Sequence, residues 1–182
     1  GQIQGFFHIP LDELTAIPML AEHFRAKGLD DVVVVATDVG AAKRARDMAD
    51  MLDAPIAIIE KQRVGNEDKI AAVSLIGDVQ GRSALIVDDE LNTGGSVVAA
   101  AQILLERGAA EVYCYVVHAV LSGTASQALA ASPLKETVVT DTLPIPENNR
   151  FAGLQTLSVA SLLGEAIHRI HSGLSVGAMF DH

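Results

Sequence analysis

The stretch Val87-Asp88-Asp89-Glu90-Leu91-Asn92-Thr93-Gly94-Gly95-Ser96 concentrates residues able to do chemistry. Adjacent carboxylates at Asp88 and Asp89 can accept hydrogen bonds from a vicinal diol or help hold a hydrated cation. Thr93-Gly94-Gly95-Ser96 can expose successive backbone N–H groups, because glycine tolerates close approach and unusual dihedrals. A helix beginning at that point would aim its positive dipole end at the same spot, completing a phosphate pocket. Diol acceptors a few residues from a phosphate cradle suit a sugar phosphate. The plainer alternative is a strand-to-helix turn with solvated aspartates and Ser96 as the helix N-cap. Neither Gly-x-x-x-x-Gly-Lys-Ser/Thr nor Gly-x-Gly-x-x-Gly occurs in the chain.

Other candidates stand alone. Lys61 and Arg63 read, by themselves, as part of a solvated basic loop beside Lys69. Asp38 follows a strand and reads, by itself, as a helix-start carboxylate favoured by the dipole. His168 and His171 can share a helix face, but no third ligand lies near them in sequence, so they read as surface or interface residues. His118 sits in an apolar strand and reads as a packed, hydrogen-bonded side chain, with Cys114 in the core.

The elements that must position these residues follow from the apolar pattern. Val32-Val33-Val34-Val35-Ala36 is a near-continuous apolar run, as in a strand buried on both faces. A helix is expected over Ala41 to Leu52, strands over Pro55 to Ile59 and Ser83 to Val87, and a helix from about Ser96 to Arg107 stopped by Gly108. Val112 to Val120 and Thr137 to Thr140 read as strands, and a last helix passes through Glu165 and His171 to Gly173. Val64 to Asp68 and Leu143 to Arg150 are loop-like, and Pro18 interrupts a helical pattern in an irregular first 30 residues. Strands alternating with helices indicate an α/β, three-layer domain built on a parallel sheet.

Composition bounds the function. The 182 residues suffice for one domain with a substantial core, and 49% are hydrophobic, yet no apolar run approaches the ~18 residues of a membrane span. The amino terminus, Gly1 to Gly5, does not read as a secretory signal, and the single cysteine excludes an intrachain disulfide, so the chain reads as cytoplasmic, with no membrane partner. A formal net charge of −10 argues against nucleic acid as a partner. Any phosphate site must therefore be a local feature built from cations, backbone amides or a bridging divalent metal.

The segment Val87 to Ser96 resembles the phosphoribosyl diphosphate signature shared by phosphoribosyltransferases and the synthetases that make their substrate. Gln4 to Asp12, with Gly5-Phe6-Phe7 and Ile9-Pro10, resembles a segment of the synthetases, the ribose-phosphate pyrophosphokinases. So do Ala57-Ile58-Ile59-Glu60-Lys61-Gln62-Arg63, Gly77-Asp78-Val79-Gln80-Gly81-Arg82, Leu157 to Ala160 and Ile167 to Val176. The chain is similar to the C-terminal half of that family over its whole length.

The resemblance implies a phosphoribosyltransferase-like (type I) fold spanning 1–182, with 1–30 as a linking segment and 31–182 as the core. It implies transfer of diphosphate from Mg–ATP to the C1 hydroxyl of ribose 5-phosphate, giving phosphoribosyl diphosphate and AMP. Lys61 and Arg63 would be catalytic residues on a flexible loop, with Arg63 also contacting substrate. Asp88 and Asp89 would hold the ribose hydroxyls, and Asn92, Thr93, Gly94, Gly95 and Ser96 would wrap the 5-phosphate. Asp38 falls where the family has a Mg2+-associated aspartate. Family members carry a preceding domain that supplies much of the ATP site and assemble as homo-oligomers, commonly hexamers. The chain alone is thus expected to bind ribose 5-phosphate but make little product. Asn92 stands where the family has an aspartate, Glu90 where it often has an apolar residue, and Gln62 where it often has arginine. Two rival readings remain at this point: a phosphoribosyltransferase that consumes phosphoribosyl diphosphate, and a non-catalytic regulatory homologue of the synthetase.

Overall fold

The computed structural model describes residues 3–63 and 70–180, so the loop-like stretch Val64 to Asp68 lies outside the described residues. The first long helix, α1, spans Ile17–Arg25. Thr15 prepares it by accepting a hydrogen bond at Oγ1 from the Ile17 N–H at 3.2 Å. Pro18 sits in the first turn, where its missing N–H removes no helical bond. It therefore starts the helix instead of interrupting it. Ile17, Leu20, Ala21 and Phe24 are buried. Phe24 meets the rings of Tyr113 and Tyr115 edge-on, with centroids 5.5 and 5.3 Å away. This part of the expected linking segment thus belongs to the core.

The chain continues through β1 (Val32–Ala36), α2 (Ala42–Leu52), β2 (Ile56–Arg63), β3 (Ile70–Ile76), β4 (Ser83–Leu91) and α3 (Gly95–Glu106). Then come β5 (Glu111–Ala119), α4 (Ala125–Ala130), β6 (Glu136–Thr140), β7 (Leu154–Leu157) and α5 (Ala160–His171). One seven-stranded sheet has the order β3-β2-β1-β4-β5-β6-β7. Its pairings are parallel except at the edge, where β2 and β3 form an antiparallel hairpin with an irregularity between Gln62 and Arg63. The architecture is the expected α/β layering, on a mixed sheet instead of a wholly parallel one.

Alternation along each strand divides the core between two faces. Val34, Leu85, Val87 and Tyr115 pack with Phe24 of α1 and Met48 of α2. Val33, Val35, Ile86 and Val116 pack with Val97 and Leu104 of α3 and Leu129 of α4. Central strands covered on both faces explain the unbroken valine run in β1. Cys114 is fully buried in the second cluster, and desolvation pushes its thiol pKa well above the ordinary value. Among the described residues no helix is long and apolar enough to cross a membrane.

Candidate functional site

The carboxyl ends of β1 and β4 and the first turns of α2 and α3 meet at one end of the sheet. β4 runs four residues beyond the expected Val87, so Asp88 and Asp89 lie on the strand itself. Ile86 pairs with Val35 of β1, which brings Asp88 beside the residue two beyond Val35, Thr37. Thr37 is buried and donates from Oγ1 to Asp88 Oδ2 at 3.2 Å.

Arg44, in the first turn of α2, grips both aspartates. Its Nη1 lies 2.9 Å from Asp88 Oδ1 and its Nη2 lies 2.7 Å from Asp89 Oδ2. Asp88 Oδ1 also accepts the Asp89 N–H at 2.9 Å. Burial lifts the Asp88 pKa above the usual carboxylate value, outweighing the Asp89 amide and the Arg44 charge. At Asp89 partial burial pushes the other way from its hydrogen bond with Asp88 and the Arg44 charge, and those win: its pKa is lowered. The sequence reading missed Thr37 and Arg44. Arg44 lies six residues beyond Asp38, on the polar face of a helix recognised only by its apolar one.

The following turn supplies the second half of the site. The Leu91 and Asn92 carbonyls accept the N–H groups of Leu121 and Ser122 at 2.9 and 3.0 Å, tying the turn to the segment after β5. The Ser122 hydroxyl donates to Asn92 Oδ1. Asn92 thus braces the turn, a role that needs an acceptor and no charge. Gly94 caps α3 in the left-handed region at φ 75°, and a Cβ there would come 3.2 Å from Leu129 Cγ. Its carbonyl accepts the Val98 N–H at 2.9 Å. The first-turn amides of α3 have no helical acceptor, and no side chain caps them. Helix α3 begins at Gly95 and not after a Ser96 cap. Thr93, Gly95 and Ser96 are exposed. Open amides, a dipole end and two hydroxyls make this turn fit for an anionic oxygen cluster.

Asp38, at the end of β1, accepts the Ala41 N–H at Oδ1 at 2.9 Å, so it opens α2. Its carboxylate retains acceptor capacity toward solvent, where it is exposed. Among the described residues no group of three or more histidines, cysteines or acids could hold a metal ion. Lys61 and Arg63 are on a strand, not a loop. β2 pairs with β1 only as far as Ala36 with Ile58, and its continuation through Lys61 and Arg63 is paired with β3. The hairpin therefore extends beyond β1 at the end of the sheet that carries Asp38 and Asp88. A cavity of about 400 Å³ adjoins the pair, lined in part by Lys43, Arg44, Asp89 and His118. His118 is exposed at the end of β5 and hydrogen-bonded through Nδ1 to Thr142 Oγ1 at 2.9 Å, not packed inside.

A family model described as the phosphoribosyl synthetase-associated domain matches residues 64–181. The chain belongs to this phosphoribosyl synthetase family. It is 48% identical over 180 residues to a ribose-phosphate pyrophosphokinase of Caldanaerobacter subterraneus, covering 98% of this chain and 57% of the relative. A ribose-phosphate pyrophosphokinase of Synechococcus elongatus is 49% identical over 182 residues, covering 99% of this chain and 55% of that one. The crystal structure of phosphoribosylpyrophosphate synthetase from Mycobacterium smegmatis superposes with a TM-score of 0.86 at 37% identity, over 94% of this chain and 56% of that chain. The α/β fold that the sequence implied is thus the one this synthetase has. The chain spans just over half the length of these relatives.

Proposed function

We propose that this domain is the sugar-phosphate-binding half of a ribose-phosphate pyrophosphokinase, and that the missing length of its relatives supplies much of the ATP site. The observation that carries the reading is the joining, within one strand-turn-helix unit, of two carboxylates to an open helix N-terminus. In this reading Asp88 and Asp89 accept hydrogen bonds from the two ribose hydroxyls. The amides and hydroxyls of Asn92, Thr93, Gly94, Gly95 and Ser96 hold the 5-phosphate, fixing the C1 hydroxyl at the mouth of the site.

The C1 hydroxyl oxygen then attacks the β-phosphorus of ATP. A new O–P bond forms, the bond from that phosphorus to the α–β bridging oxygen breaks, AMP leaves with that oxygen, and the hydroxyl proton is released. Lys61 and Arg63 on the hairpin stabilise charge on the transferring group, and Arg63 also contacts the sugar phosphate. Asp38, whose carboxylate is exposed, would help hold Mg2+ carried by the nucleotide. When bound, the ion neutralises phosphate charge; the chain's own residues place the nucleophile.

The reading extends to a cytoplasmic homo-oligomer, a hexamer in the family the sequence resembles, with the described fold as its C-terminal domain. Calorimetric titration with ribose 5-phosphate, with and without Mg2+, tests the core of it. Saturable binding supports the sugar-phosphate pocket; no binding at millimolar ligand removes it from this half.

A further inference from the structure

Two adjacent aspartates at a strand end are as well suited to a divalent cation as to a sugar, since both ligands use the same oxygens. What this chain adds is Arg44. Its fork takes one oxygen from each carboxylate, Oδ1 of Asp88 and Oδ2 of Asp89. The other two oxygens, Asp88 Oδ2 and Asp89 Oδ1, keep acceptor capacity, Oδ2 beside the donor from Thr37. The Arg44 side chain is only 23% exposed, so its charge acts on the pair without full solvent screening. Lys43, next along the helix, is bound to Asp47 at 2.9 Å.

We propose that Arg44 is a positioning and specificity-determining residue: it holds the Asp88–Asp89 pair open to a neutral vicinal diol and closed to a divalent cation. The inference rests on the sugar-phosphate reading above. With Arg44 in place the ensemble of three charges is singly negative, and the clamped oxygens are spaced by the planar guanidinium. The two free oxygens then meet two adjacent hydroxyls, and Arg44 stays in place when sugar binds. Without Arg44 the pair is doubly negative, unclamped and open to a hard cation, which then competes with the sugar for the same oxygens. Arginine at position 44 therefore keeps the diol subsite apart from any metal brought by a polyphosphate to Asp38.

The test uses the whole chain in four forms: parent, Arg44→Gln, Arg44→Lys and the double variant Arg44→Gln/Asp89→Asn. Ribose 5-phosphate binding is followed by calorimetry across a Mg2+ series, and bound Mn2+ is counted by electron paramagnetic resonance without sugar. The parent is expected to bind sugar with little dependence on Mg2+. Arg44→Gln should bind sugar ten- to a hundredfold more weakly, lose further affinity as Mg2+ rises, and take up one Mn2+ more than the parent. Arg44→Lys should keep the parent's Mn2+ count while binding sugar more weakly, because it restores charge but not the fork. The double variant returns the site to one negative charge and should lose the additional Mn2+, an outcome that a purely structural role for Arg44 would not produce. Equal Mn2+ counts in parent and Arg44→Gln, both folded by circular dichroism, overturn the proposal. If Arg44→Gln fails to fold, the Arg44→Lys result decides: a gained Mn2+ or parental sugar affinity overturns it. Failure of the parent itself to bind sugar counts against the sugar-phosphate reading, and the Mn2+ counts still judge the clamp.

Discussion

Thr37 Oγ1 donates to Asp88 Oδ2 across 3.2 Å, joining the carboxyl ends of β1 and β4. The bond does not offset the cost of placing Asp88 where water is scarce, and burial leaves its pKa raised. The sign of the resulting pH dependence follows. A native-state pKa above the unfolded one means that the folded protein binds this proton more tightly, so Asp88 favours folding as pH falls through that raised value and opposes it above. Binding runs the other way, because the ionised carboxylate is the stronger acceptor of a sugar hydroxyl. Ribose 5-phosphate affinity should therefore fall on acidification before an ordinary aspartate would protonate. The ligand's phosphate also titrates, near pH ~6, so Asp88→Asn is the control. In calorimetric titrations from neutral pH downward, that variant should keep the phosphate step and lose the other. An identical pH profile in both proteins would remove Asp88 from the binding event.

At neutral pH the same substitution gauges the strength of the contact. A hydrogen bond to a charged group is worth roughly 1.5–3 kcal/mol, so Asp88→Asn should weaken ribose 5-phosphate by about ten- to a hundredfold. Calorimetry reads this directly, and parental affinity would contradict the assignment.

Much of this site was legible in the sequence because its parts are contiguous. The Asp88 to Ser96 stretch carries carboxylates, glycines and a helix start in one run, and the apolar pattern before and after it marks a strand and a helix. Arg44 was not legible, since its contact with Asp88 spans 44 residues and depends on where α2 docks against the sheet. The hairpin was also hidden: β3 pairs antiparallel at a sheet edge, which a reading built on alternating parallel units does not anticipate. Pro18 misled because proline marks both a helix interruption and a helix first turn, and only the position of Thr15 and Ile17 distinguishes them.

Gly94 links backbone geometry to anion binding. Alanine at φ 75° adopts a left-handed backbone at a cost of about 1–2 kcal/mol, and its methyl would press on Leu129 Cγ at 3.2 Å. Gly94→Ala should lower stability and also weaken ribose 5-phosphate by shifting the first amides of α3. Gly81 offers a matched comparison, with φ 72° and nothing within 4 Å of an added Cβ. Gly81→Ala should show the backbone cost in urea unfolding while leaving sugar affinity unchanged. Parental sugar affinity in folded Gly94→Ala would separate this turn from the phosphate.

Phe24 decides whether α1 is part of the domain or a tether to something else. It is 2% exposed and lies edge-on to Tyr113 and Tyr115, against the centre of the sheet. Its ring is far larger than the space that neighbouring side chains could fill by small shifts in a close-packed interior. Phe24→Ala should therefore cost about 3–5 kcal/mol, whereas a residue on a linking segment would change stability by no more than about 0.5 kcal/mol. Urea unfolding followed by far-ultraviolet circular dichroism measures the difference. The midpoint should fall steeply with the slope unchanged, since the native state still buries nearly the same surface. A loss confined to the smaller range would return residues 17–25 to the linking role that the sequence suggests. A large loss means that a domain cut to start after Arg25 gives up the packing that supports β5, the strand alongside the Asp88–Asp89 pair.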